Sequence, residues 1–379
     1  DLIIQDELHL IEGPLGSMTG FYEILTDELS TLPGHKGPKY IASTATSKQA
    51  FEQVQCLYNR RLSQFPQPIT SIEDMFFVRE SNIDLHDSEV PSRLYVGICS
   101  PGRGPQTPLV HIWSSLLQSI YSRSLKLGDN QAKLDSYWTL VGYFNAIREL
   151  SGARSLYRQD IPERIGDLFG DQTRVIQEEG SVELSGQTDS LELSNILDSL
   201  DVSWPDPNTK DAVFSTSMFG TGVDVSRLGL MLVHGQPKTS SSYIQATGRV
   251  GRKGGGLVFT FYKASRPRDL DHYEFFTGYH SSLYKYVESV TVSPFSPRIL
   301  ERCAGPVATA LLRQSSFLNG VEVSLPWKVE QRFQQSPKIK SNANLMAEER
   351  SALEVKQISK ILETRAQNQS ENRRPDEGE

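Results

Sequence analysis

Asp6 and Glu7 stand side by side after the apolar run Leu2-Ile3-Ile4, and His9 follows two residues on. Hydrolysis of a nucleoside triphosphate needs one acid to hold hydrated Mg²⁺ and a second group to orient the attacking water. Adjacent acids at a strand end can divide those tasks, with Asp6 holding the metal and Glu7 acting as general base. His9 is then placed to link the hydrolysis site to a neighbouring domain. The plainer reading is an acidic turn closing a core strand, and so short a pattern is weak by itself.

A second constellation is Gln245-Ala246-Thr247-Gly248-Arg249-Val250-Gly251-Arg252. Arginine carries a permanent charge and a bidentate donor geometry, so Arg249 and Arg252, three residues apart among glycines, make a mobile fork for a phosphoryl transition state. The plainer alternative is a basic helix end running into the Lys253-Gly254-Gly255-Gly256 turn. The full pattern is far more specific than any single glycine loop.

About twenty residues earlier, Thr216 to Val225 follows the apolar run Ala212-Val213-Phe214. A hydroxyl at a strand end, as at Thr216, suits a nucleic-acid phosphate. Gly222 allows a tight turn, and Asp224 can accept a hydrogen bond from a ribose hydroxyl. An ordinary βα turn with a helix cap reads the same way. Thr44-Ala45-Thr46 after Tyr40-Ile41-Ala42 offers small hydroxyl groups that can bond His9 or Asp6, or simply cap the helix that follows.

These residues need strands and helices to place them. Leu2 to Ile4 reads as a buried parallel strand, and a helix is expected around Phe21 to Leu29. A strand over 40–42 and a helix over 48–60 follow, and Phe65-Pro66-Gln67-Pro68 reads as a linker. Beyond it, strands are expected at 94–98, 139–144, 182–184, 212–214, 228–233 and 257–261. Helices are expected at 108–123, from 145, at 191–200 and at 240–250. This alternation argues for a parallel α/β sheet with its functional loops at the strand carboxyl ends. Ser293-Pro294-Phe295-Ser296-Pro297 is a break. Residues 345–366 carry Leu345, Ala352, Val355, Ile358 and Leu362 at helical spacing, and 367–379 read as a disordered tail.

Composition narrows the class. A chain of 379 residues suggests two or three domains. A formal net charge of −7 excludes a histone-like binder, so contact with nucleic acid has to come from a local basic groove. Cys56, Cys99 and Cys303 are too scattered for a zinc or disulfide framework, and free thiols suit a reducing cytoplasm. No apolar run approaches the roughly 20 residues of a membrane span.

In order and spacing the four constellations resemble motifs II, III, V and VI of the superfamily-two helicase core, over about residues 1 to 265. The resemblance implies Mg²⁺ on Asp6, water activation by Glu7, and coupling through His9 with Thr44 and Thr46. It also implies nucleic-acid contact by Thr216, nucleotide contacts by Gly222 and Asp224, a coupling glutamine at Gln245, and arginine fingers at Arg249 and Arg252. ATP would lie between two RecA-like domains, with the acids on one side and the arginines on the other. Further segments look like the large helicase subunit of bacterial DISARM anti-phage systems. They are Asp6-Glu7-Leu8-His9-Leu10-Ile11 running into Gly13-Pro14-Leu15-Gly16-Ser17, Arg93-Leu94-Tyr95-Val96-Gly97 before Gly102-Arg103, and Tyr143-Phe144-Asn145 ahead of Arg148-Glu149-Leu150. That likeness implies DNA rather than RNA, and other defence-system subunits as partners.

One departure stands out. Superfamily-two enzymes grip the triphosphate with an upstream Gly-Lys-Thr/Ser loop, and these residues contain none. With Asp1 opening in mid-strand, the expectation is the rear part of a first RecA-like domain (1–68), a second one (69–265), a mainly helical extension (266–366) and the tail. Alone, this chain is expected to lack ATPase activity. Two alternatives stay open: a non-catalytic nucleic-acid scaffold derived from a helicase, and a double-stranded DNA translocase that does not unwind.

Overall fold

The computed structural model describes residues 2–31, 37–44, 50–65, 92–127, 134–220, 224–318, 356 and 358–368. The chain divides into two compact units, one formed by 1–79 with 289–379 and the other by 80–288.

In the first unit, β1 (Leu2–Gln5) leads to α1 (Gly13–Ser30), β2 (Lys39–Ala42) and α2 (Ala50–Tyr58). β1 and β2 pair in parallel, with Gln5 opposite Ala42. The strand expected to be buried has only one covered face. Successive side chains of a strand point to opposite sides, and Leu2 and Ile4 are 54% and 71% exposed. α1 starts eight residues before the expected Phe21, because Pro14 fits the first turn of a helix, where its missing N–H costs nothing.

The break at 293–297 opens α11 (Pro297–Leu318), a helix the pattern did not reveal. It packs with α1 and with the helix over 358–368. Phe21, Ile24, Ile299, Cys303, Val307 and Ile358 form that core. The C-terminal helix runs two residues past 366; Leu345, Ala352 and Val355 lie outside the described residues, as does the expected tail from 369 on.

The second unit is a six-stranded parallel sheet of β3 (Arg93–Cys99), β4 (Leu140–Phe144), β5 (Ser181–Leu184), β6 (Ala212–Ser215), β7 (Leu230–His234) and β8 (Gly256–Tyr262). Their spatial order is β3-β8-β7-β4-β6-β5. The helices are α3 (Gln106–Leu127), α4 (Asp135–Trp138), α5 (Ile147–Arg158), α6 (Asp160–Phe169), α7 (Ser190–Asp201), α8 (Ser240–Thr247), α9 (Pro267–Glu274) and α10 (Phe276–His280). The unit keeps residues 266–288, so the segment expected as one extension beyond 265 is shared between the two units.

Every residue of β4, β6 and β7 is buried, as in sheets covered on both faces. The faces separate by alternation. Leu140, Phe144, Phe214 and Leu232 pack with Trp113, Leu150 and Ile161 from α3, α5 and α6. Val141, Tyr143, Val213 and Val233 pack with Leu200 and Tyr243 from α7 and α8. β4 lies between β6 and β7, where the winding reverses, and in open parallel sheets ligands bind at the strand carboxyl ends beside that reversal.

Candidate nucleotide and nucleic-acid site

The acids sit on an extension of the β1–β2 ladder. Ser43 N–H donates to the Gln5 carbonyl at 2.9 Å, and Leu8 N–H donates to the Ser43 carbonyl at 2.9 Å. Asp6–His9 and Ser43–Thr44 are thereby held together just past two adjacent strand ends. Glu7 adopts the left-handed conformation, φ 53° and ψ 47°. This is uncommon for a residue with a Cβ and persists where the surroundings over-determine it. Those surroundings are visible: Leu8 is 2% exposed among Val54, Leu57 and Tyr58. The Gln53 amide also donates to the Leu8 and Ile11 carbonyls at 2.9 and 3.1 Å.

Asp6 Oδ1 accepts the Glu7 N–H at 2.8 Å and the Ser43 hydroxyl. The Ser43 bond, followed by the Glu7 N–H, holds the Asp6 carboxyl below its ordinary range. Mg²⁺ keeps several waters and takes one or two carboxylates. An exposed, anionic Asp6 fits that requirement. Among the described residues no group of three or more His, Cys, Asp or Glu side chains gathers as a metal cage. His9 is 6% exposed. Its Nδ1 lies 3.2 Å from Thr44 Oγ1 and 3.5 Å from Glu7 Oε2. The structure thus brings Asp6, Glu7, His9 and Thr44 into one cluster and adds Ser43, which the sequence reading passed over. Thr46 lies outside the described residues.

In the second unit, Thr239 caps α8 by accepting the Ser242 N–H at 3.2 Å. The arginine loop that follows is braced rather than a free fork. Arg93 on β3 donates to the Val250 carbonyl at 2.7 Å and to the Gly248 carbonyl at 2.9 Å. Gly251 N–H donates to the Leu228 carbonyl at 2.7 Å. With φ 71°, and Gly256 N 2.4 Å from where a Cβ would lie, only glycine fits at 251. Among the described residues the two guanidiniums reach different groups. Arg249 Nη2 donates to the Gly220 carbonyl at 2.8 Å, and Arg252 pairs with the Asp224 carboxylate. Gln245 packs near Gly220, and its amide is 3.5 Å from Ser241 Oγ. Gln245, Arg249, Arg252 and Asp224 are therefore gathered around the segment after β6; Gly222 lies outside the described residues. No local signal could have revealed Arg93, which is 157 residues from Val250.

Thr216 is 8% exposed, and its N–H donates to the Leu184 carbonyl at 3.1 Å. It lines a cavity of about 330 Å³ at the sheet's reversal point, with Asn145, Gly186, Lys238 and Ser242 among the other walls. The Asn145 amide donates to the His234 and Gly235 carbonyls at 3.2 and 3.1 Å, tying the end of β4 to that of β7.

Residues 168–254 match the helicase conserved C-terminal domain. The DISARM protein DrmA of Bacillus paralicheniformis is 44% identical over 326 residues, covering 83% of this chain and 28% of that protein. The chain therefore spans little more than a quarter of that relative's length. Two solved structures of the DUF1998 helicase MrfA share the fold. The one bound to DNA and AMPPNP has a TM-score of 0.53 at 18% identity, covering 89% of this chain and 40% of that one. The one bound to DNA has a TM-score of 0.55 at 19% identity, covering 86% and 39%. Motif order, domain match and sequence relative agree, and the chain carries part of a superfamily-two helicase core similar to that of the DISARM protein DrmA.

Proposed function

We propose that this chain supplies the hydrolytic acids and the arginine-bearing unit of an ATP-dependent DNA helicase or translocase that acts in anti-phage defence. The observation that carries the reading is the cluster of Asp6, Glu7, His9, Ser43 and Thr44 past two parallel strand ends. Asp6 would hold Mg²⁺, which when bound would neutralise charge on the phosphate oxygens. Glu7 orients a water and accepts its proton as the water oxygen attacks the terminal phosphorus and the bond to the leaving diphosphate breaks. His9, between Glu7 and Thr44, passes the state of that centre to β2. Arg249 and Arg252 stabilise the charge that develops, and Thr216 meets the strand.

The likeness to DrmA supports DNA as substrate and other defence subunits as partners. MrfA, bound to DNA and AMPPNP, illustrates the ligands such a fold can hold. A cytoplasmic setting accords with free thiols at Cys56, Cys99 and Cys303. Among the described residues no helix is long and apolar enough to cross a membrane. A scaffold would have no physical need for Asp6, Glu7 and both arginines together. Strand-displacement assays separate unwinding from translocation alone.

The test is Glu7→Gln in the protein that carries the whole ATPase. ATP binding should persist while DNA-stimulated turnover falls by roughly a hundredfold or more. Undiminished phosphate release would remove Glu7 from the mechanism. The 379 residues alone, without a Gly-Lys-Thr/Ser loop, should bind ATP weakly and turn none over.

A further inference from the structure

The backbone passes from the second unit to the first after Glu288, and it is bonded on both sides of that crossing. In the second unit, Glu288 grips the N-terminus of α8. Both of its carboxylate oxygens accept the Ser240 N–H, at 3.0 and 2.8 Å, and Oε1 also accepts the Ser240 hydroxyl at 3.2 Å. Thr239 already caps α8 through the Ser242 N–H, so Glu288 takes a different one of the donors that a helix start leaves unpaired. A carboxylate suits that end, where the helix dipole is positive. Ser240 is buried, and so is Val287 just ahead of Glu288. The Tyr286 ring packs on Tyr279 with centroids 5.6 Å apart.

In the first unit, the attachment begins two residues on. Val290 and Val292 pack with Leu8, Val54 and Leu57. The Thr291 carbonyl accepts the Gly13 N–H at 2.9 Å, and the Ser293 N–H donates to Ser17 Oγ at 2.9 Å. Leu8 stands between Glu7 and His9 in the chain, so this segment packs against the loop that carries the acids.

Ser289 alone separates the two attachments. Extended backbone spans at most about 3.6 Å per residue, so the Cα atoms of Glu288 and Thr291 stay within about 11 Å of each other. Slack is therefore small. α8 (Ser240–Thr247) is a rigid rod about 12 Å long, and Arg249 and Arg252 follow directly from its far end.

We propose that Glu288 is a positioning residue for the two arginines, and that 288–293 is a strap that carries displacement of the acid loop to α8. Movement at Leu8 and Gly13 draws on Thr291 and Val292. The strap then pulls Glu288, Glu288 pulls the start of α8, and the helix carries Arg249 and Arg252 with it. Glu288 touches neither nucleotide nor water and acts only through the helix. The proposal rests on the reading that the acids and the arginines serve one hydrolysis.

The experiment uses the protein that carries the whole ATPase and measures kcat and KM for ATP by phosphate release with saturating DNA. Glu288→Ala removes the grip. A Gly-Ser-Gly-Ser insertion between Ser289 and Val290 keeps every bond at both ends and slackens the strap. Each should lower kcat by about tenfold, a change within the range seen for residues that couple sites without touching a ligand. KM should stay at the wild-type value, because the arginines act on the transition state. Glu288→Gln keeps an oxygen for the Ser240 N–H and should recover most of the rate. Glu288→Ala combined with the insertion should be no slower than the slower single variant, since both break one device.

An insertion variant with wild-type kcat overturns the strap and leaves Glu288 a local anchor of α8. Wild-type kcat in Glu288→Ala, or a raised KM at unchanged kcat, overturns the positioning role. If Glu288→Ala does not fold, the insertion and Glu288→Gln decide. Arg252→Ala assayed in parallel tests the underlying reading: its normal hydrolysis would remove that reading and the strap together. Its loss of hydrolysis beside an unaffected insertion variant would remove the strap alone.

Discussion

Arg252 and Asp224, 28 residues apart, form an ion pair between Nη1 and Oδ1. On the role proposed for Arg252, a phosphate that takes Nη1 has to displace that partner. Both ends reach solvent, with side-chain exposures of 34% and 71%. A pair of this kind contributes about 0–1 kcal/mol, so the exchange is cheap.

In the protein that carries the whole ATPase, Arg252→Ala should accordingly melt within a few degrees of wild type while losing hydrolysis on the order of a thousandfold, with DNA binding largely kept. Phosphate release and anisotropy measured on the same preparation check this. Normal hydrolysis with lost DNA binding would reassign Arg252 to the strand.

Ser43→Ala removes the largest influence lowering the Asp6 carboxyl. Asp6 should then titrate at a higher pH than in wild type, as followed by carboxyl carbon resonances. An unmoved titration would mean that the Ser43 hydroxyl does not lower the Asp6 carboxyl.

His234 links acidity to the fold of the second unit. Its ring stacks on Phe144 with centroids 4.2 Å apart, and Nε2 accepts the Trp113 N–H at 3.0 Å. Burial pushes its pKa down to about 3 from 6.5. Between those values the unfolded chain binds the extra proton and the folded chain does not. The stabilisation is complete above about pH 6.5 and drains away as the pH falls toward 3. Denaturant midpoints measured across that window should fall with acid, and His234→Gln should flatten the slope.

Asp27 joins α1 to the C-terminal helix. Its carboxylate pairs with Arg60 and, at 2.9 Å, with Arg365, whose side chain is 8% exposed. Asp27→Ala strands a buried guanidinium and should cost roughly 3–5 kcal/mol in urea unfolding. Arg365→Met should cost less, because Arg365 Nε and Nη2 already lack hydrogen-bond partners among the described residues.

The sequence by itself determined what is local. Strand-forming runs such as Leu140–Phe144 and Leu230–His234, the acids behind Leu2–Ile4, and the glycine-spaced arginines are legible because side-chain period and neighbouring residue types are written along the chain. Tertiary structure alone decided what depends on distant approach. Ser43 reaches Asp6 across 37 residues because two strands pair in register, and Arg93 clamps the arginine loop because β3 lies beside β8. α11 escaped the reading because Pro297 and Pro306 look like punctuation, whereas packing of Ile299, Cys303 and Val307 against α1 outweighs them. Periodicity sees one neighbour in three or four along a helix; it carries no information about which faces meet, and those meetings set the surroundings of the Asp6 carboxyl, the partners of the arginines and the shape of the Thr216 cavity.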